Sequence, residues 1–146
     1  MAGRYAAKTE VPVSRTRDEI ERTLSRYGAE AFSYGWDGDR AVVMFQAEGR
    51  RIRFDVVVPG DLTESRRAQV ERQRWRALLL VIKAKLEAVA VGIVTFEEEF
   101  LAHIMLPDGS KVAEWMAPQL KQVYESGQMP ELLPPARAAL KSGGRR

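Results

Sequence analysis

The chain has no cysteine, a single histidine (His103) and no apolar run approaching a membrane span; its densest apolar block is the six residues "ALLLVI". Without cysteine there is no disulfide framework, no thiolate zinc site and no cysteine nucleophile, which fits a reducing cytoplasm. A helix that crosses a bilayer needs about 20 apolar residues, so membrane insertion is not expected. The opening "MAGRYAAKTEVPVS" also lacks the apolar centre of a secretion signal, and a cytoplasmic location follows as the expectation.

Catalytic signatures are equally scarce. There is no Walker sequence and no Gly-x-Gly-x-x-Gly; "YGWDGD" opens a hairpin and not a helix, so it cannot cradle phosphate on a helix N-terminus. His103 has Glu99 four residues earlier, which is half a metal site at most. The run Glu97, Glu98, Glu99 reads more simply as a helix start than as catalytic carboxylates. The expectation is a protein that is not an enzyme and takes no cofactor or metal.

What is present is asymmetric charge. The net charge is only +3, but residues 61–90 carry Arg66, Arg67, Arg72, Arg74, Arg76, Lys83 and Lys85 against four acids, whereas residues 91–120 carry Lys111 alone against five. A basic face for a polyanion is one consequence, and an acidic segment that repels it or pairs with a basic surface elsewhere is the other.

A length of 146 residues suits one domain with its own core. The pattern predicts an α+β fold: an N-terminal helix, a three-stranded antiparallel sheet, a long basic amphipathic helix, then two or three short helices. Residues 1–12 read as a flexible arm, 13–127 as the domain, and 128–146, rich in proline and glycine, as a tail loose beyond Pro134.

Thr16 and Glu19 are spaced as a capping box for the first helix, with Ile20, Leu24 and Tyr27 on one side and Gly28 as the stop. The turn signals Asp37-Gly38-Asp39 and Glu48-Gly49 cut the next segment into strands at about 31–36, 40–47 and 51–58. Alternation puts Ile52, Phe54, Val56 and Val58 on one face of the third strand and Arg51, Arg53 and Asp55 on the other. In the first strand Phe32, Tyr34 and Trp36 share a face. If it coincides with the Arg51/Arg53 face, rings and guanidinium groups form a platform for bases; otherwise the aromatics fill the core.

The long helix is expected from about Thr63 to Val91, with Gly92 as its stop and a stripe of Trp75, Leu78, Leu79, Ile82, Leu86, Val89 and Ile93 facing the core. Arg72, Arg76 and Lys83 are placed on the opposite side, with Arg74 and Lys85 at its flanks. Cations in the first turns of a helix oppose the backbone dipole, so the face of Arg72, Arg76 and Lys83 is either merely solvated or a surface kept positive for phosphate, with Arg66 and Arg67 covering the approach. Further on, Thr95 and Glu98 form a second capping box, with Phe96 and Phe100 on one side; Pro107-Asp108-Gly109 is a turn. Ser110 is expected to cap a last helix with Trp115, Met116, Leu120 and Val123 as its buried side and a kink or division at Pro118.

At "RQRWRALLLVIKAKLEAV", "TFEEEFLAHIMLPDG" and "EWMAPQL" the chain resembles a family of small, poorly characterised bacteriophage and prophage proteins, from about Val13 to Pro134. The resemblance implies residence in a bacterial host cell and a role in replication, recombination or inhibition of host defence; it implies no catalytic residues. The order of helix, three strands and helix also resembles double-stranded RNA-binding domains, without a match to their loop motifs.

Two functions stand on these residues. The first is nucleic-acid binding, DNA favoured and single-stranded DNA included, with Tyr34 and Trp36 stacking on bases. Arg50, Arg51, Arg53, Arg66, Arg67, Arg72, Arg74, Arg76 and Lys83 would then meet phosphates. The second is a non-enzymatic interaction module or inhibitor that engages a host or phage protein through the acidic stretch 97–114 or an apolar patch.

Overall fold

A computed structural model describes residues 9–130; the arm before Thr9 and the expected looseness beyond Pro134 lie outside the described residues. The elements are α1 (Val13–Tyr27), β1 (Glu30–Asp37), β2 (Arg40–Ala47), β3 (Arg50–Val57), α2 (Glu64–Ala90), α3 (Phe96–Phe100), a 3-10 turn (Leu101–His103) and α4 (Val112–Ser126). This is the expected α+β order. Contacts divide the chain into two compact units, Met1–Val112 and Ala113–Arg146.

In the first unit the sheet is antiparallel in the order β1-β2-β3, and both connections are two-residue hairpins. Glu48 and Gly49 both have positive φ (53° and 74°), the twist a tight antiparallel turn demands, although glutamate suits that conformation less well than asparagine would. Ala41, Val43, Phe45, Ala47, Ile52, Phe54 and Val56 face Ile20 and Leu24 of α1 and Trp75, Leu79, Ile82 and Leu86 of α2. Phe100 closes one end of this core, meeting Phe45 and Phe54 edge-on at ring distances of 6.1 and 6.3 Å.

Helix α1 does not start at the Thr16 capping box. Pro12 is its N-cap, with no side-chain cap, and its carbonyl accepts from the Arg15 and Thr16 amides at 3.1 and 3.2 Å. Thr16 lies four residues before Ile20, hence on the apolar stripe, and is fully buried; the stripe overrides the polar signal. Gly28 ends the helix at φ 106° as expected.

Helix α2 starts as read, with the Thr63 hydroxyl accepting from the Arg66 amide at 3.3 Å. Trp75 is in the core at 1% exposure. Ile93 is not; Gly92 (φ 82°) breaks the helical phase and leaves it exposed. The Thr95–Glu98 capping box forms in both directions, and the bonds from the Thr95 backbone and hydroxyl hold the Glu98 carboxyl below its ordinary value. The acids that follow do pair with basic residues elsewhere: Arg50 Nη2 lies 2.7 Å from Glu97 and Lys85 3.0 Å from Glu99.

After the 3-10 turn the chain touches the free side of β3 briefly. Ile104 bridges Ile52, the Met105 amide donates to the Arg51 carbonyl at 2.8 Å, and the turn at Asp108 brings Lys111 back opposite Met105. His103 stacks on Phe54 with ring centroids 4.2 Å apart. Burial, with Lys85 and Lys111 nearby and only Asp55 opposing, pushes its pKa down to about 4. The folded state therefore keeps His103 neutral while the unfolded chain protonates near 6.5, so stability falls as pH drops from 6.5 towards 4 and the loss levels off below that. Urea titrations across this range should show the slope in the parent and a shallower one in His103→Phe, which keeps the ring stack; equal slopes would remove the histidine from the acid response.

In the second unit α4 runs on through Pro118 without division, and none of its residues is buried. Trp115 and Leu120, expected as its inner side, are about half exposed. Met116, Leu120 and Val123 line a small apolar cleft with Met129 and Pro130.

Candidate nucleic-acid interface

The strand register decides which groups can act together. Tyr34 sits opposite Val43 and Trp36 opposite Ala41, and these in turn sit opposite Phe54 and Val56. The aromatics thus share the helix-facing side of the sheet, while Arg51 and Arg53 pair with Gln46 and Met44 on the other. The combined platform of strand aromatics with Arg51 and Arg53 is not formed.

Nor do the aromatics simply fill the core. A bulge between Glu30 and Ser33, with Ala31 at φ 54°, turns Phe32 inward against the core. Tyr34 and Trp36, further along the same edge strand, remain 48% and 59% exposed. Arg17 of α1 lies over the Tyr34 ring at 4.1 Å and within 5.9 Å of the Trp75 ring. A guanidinium does join the aromatic edge, but it comes from α1 and not from β3. Arg17 was the residue missed; its place beside the Val13, Ile20, Leu24 stripe was the only sequence signal for it.

The cations divide by position. Hairpin connections bring the start of α1, the end of β1, the end of β3 and the start of α2 to one end of the unit. There Gln69 reaches the Thr9 carbonyl at 3.5 Å, and Arg67 donates to the Pro59 carbonyl at 3.0 Å. Arg66 extends from the first turn of α2 with an exposed side. Tyr34, Trp36 and Arg17 belong to this end. Arg50 and Arg51 start β3 and lie at the other, about 25 Å of strand away.

Arg72, Arg76 and Lys83 are not on the side of α2 away from its core stripe. Positions 72, 76 and 83 fall beside Trp75, Leu79 and Ile82 on the helical wheel, which turns them towards α1. Glu19 takes Arg76 and Lys83 at 3.2 Å each, and Arg72 bonds Gln69 at 2.6 Å. Lys83, joined by Arg76, holds the Glu19 carboxyl below its ordinary value despite partial burial. Both cations lie in the middle of α2, beyond the reach of its N-terminal dipole, and are neutralised by a glutamate on the neighbouring helix. Arg74 occupies the opposite flank, exposed and facing the β3 side.

Arg53 belongs to a third arrangement. Asp55 receives Arg53 at 2.8 Å, Arg40 at 3.3 Å and Lys111 at 3.4 Å. Burial pushes the Asp55 carboxyl up, but Arg53 and Lys111 outweigh it and hold it below its ordinary value. Among the described residues no group of three His, Asp or Glu side chains is placed to hold a metal ion, and no helix is long and apolar enough to cross a membrane. Comparison of the chain with protein-family models, curated proteins and solved structures finds no match, so its function is read from this geometry.

Proposed function

We propose that the chain is a non-enzymatic, phage-type accessory protein of the bacterial cytoplasm that binds nucleic acid, with single-stranded DNA favoured, in replication or recombination. The observation that supports this is the exposed pair Tyr34 and Trp36 with Arg17 stacked on the first ring. Residues i and i+2 of a strand are about 7 Å apart, twice the 3.4 Å step of stacked bases, which suits bases drawn out of their stack. Rings stack on any base, and a guanidinium against a ring adds cation–π attraction while remaining available to phosphate. Arg66 and Arg67 at the same end extend the path for the backbone.

With Arg76 and Lys83 held by Glu19, about three phosphate contacts are expected, from Arg17, Arg66 and Arg67. At about 0.7 per phosphate, log K against log salt slopes at roughly −2 on single strands. Anisotropy titrations of labelled oligothymidine and of a duplex at two salt concentrations test this. Tyr34→Ala and Trp36→Ala should each weaken binding by about 1–3 kcal/mol, with the melting temperature little changed. Arg50→Gln, at the far end, should leave affinity unchanged. Absence of binding at low salt, or indifference to both aromatic substitutions, would pass the function to the alternative, an interaction module acting on a host or phage protein.

A further inference from the structure

The two edges of the sheet differ. On β1 the bulge at Ala31 breaks the ladder and α1 leans over the strand through Arg17. On β3 the contact with Met105 occupies only the first residues. Because the Arg51 carbonyl points to Met105, and backbone groups two residues apart point the same way, Asp55 and Val57 also direct their N–H and C=O groups to that side. They have no ladder partner there among the described residues. Neither proline nor bulge interrupts the edge before Pro59, and its charged side chains end at Asp55, which leaves the Val57 end as the apolar part of the open strand.

Alongside this edge runs a groove of about 310 Å³ between β3 and α2, lined by Val57, Arg74, Leu78, Val81 and His103 among others. Val57 and Val81 are 41% and 44% exposed, two apolar side chains open to water beside unpaired backbone. From Arg74 to Val81 the helix rises about 10 Å, the length of three extended residues. Lys85 is committed to Glu99, and Lys111 to Asp55. Arg74, at the Val57 end, is the cation of this groove for which no partner is found among the described residues.

We infer that the free edge of β3 accepts an extended segment of a partner protein as an added strand, its apolar side chains resting on Leu78 and Val81 and an acidic side chain meeting Arg74. Main-chain bonds to Asp55 and Val57 would provide the affinity, and the groove the selectivity, as in other strand additions to a sheet edge. The site lies on the edge opposite Tyr34 and Trp36 and uses neither them nor Arg17, Arg66 or Arg67, so it does not depend on the nucleic-acid reading.

The test uses the full chain without nucleic acid and two end-blocked hexapeptides, VTVDVT and VTVKVT, followed by amide NMR and hydrogen exchange. VTVDVT should shift and protect the Asp55 and Val57 amides and bind about five-fold or more tighter than VTVKVT, the scale of one charge at the rim of an interface. Arg74→Glu, at an exposed position, should reverse that preference while keeping the melting temperature. Three results would overturn the inference: no change at these amides with either peptide at millimolar concentration, equal affinity for both peptides, or a dimer by light scattering whose Asp55 and Val57 amides are already protected.

Discussion

Trp75→Ala should lower the stability of the fold by about 3–5 kcal/mol, the range for truncating a large core aromatic. The indole is 1% exposed in the first unit, between α2 and the sheet, packed in one cluster with Leu79, Ile82, Ile20 and Phe54. Its loss removes apolar burial and leaves a cavity that neighbouring elements fill only in part, because both helices are held by their own contacts to the sheet. Against a total stability of 5–15 kcal/mol for a typical domain, that is a large share, and a fall in melting temperature of roughly 15 °C is expected. Urea melts of parent and variant read the difference directly. A variant that melts with the parent yet loses a ligand would show the indole to be a binding group, contrary to its burial.

Asp55→Asn should be the next most damaging change, at about 2–3 kcal/mol. Removing one partner of a buried charge pair costs about 3–5 kcal/mol, chiefly because the remaining charge is left uncompensated. Asp55 is 13% exposed and serves Arg53 and Lys111, themselves 19% and 17% exposed, so water relieves part of that cost. Arg40, at 43% exposure, can turn to solvent. The change also has a pH signature. The folded carboxyl lies below its ordinary 3.8, so its stabilisation is complete above that value and fades as pH falls through the lowered folded value. Parent and variant should therefore differ fully at pH 7 and converge in acid. A constant difference down to pH 2 would mean that packing, and not charge, is what the asparagine disturbs.

Much of this fold was legible because it follows from period and punctuation. Alternation over 31–58, the two turn signals and Pro59 located the strands to within a residue or so, and the three-and-four spacing around Trp75 located α2 and its core side. The Thr95–Glu98 box was legible because both of its bonds are local. The start of α1 was misread because a buried threonine and a capping threonine look alike until the helix meets its sheet. Trp115 and Leu120 were misassigned for a related reason: an amphipathic pattern shows which side of α4 is apolar, not whether anything covers it.

The basic residues show where sequence stops. Their number and clustering are plain in the chain, but whether each is free for a ligand depends on partners far away in sequence: Glu19 for Arg76 and Lys83, Glu97 for Arg50, Asp55 for Arg53. The same holds for Tyr34 and Trp36. Their shared side of β1 followed from the two-residue repeat of a strand, a local property of the backbone. Which side of the sheet that was, and that Arg17 would stand over Tyr34 there, followed only from hairpin register and the angle at which α1 crosses, since a shift of one residue would have turned both rings to the other face.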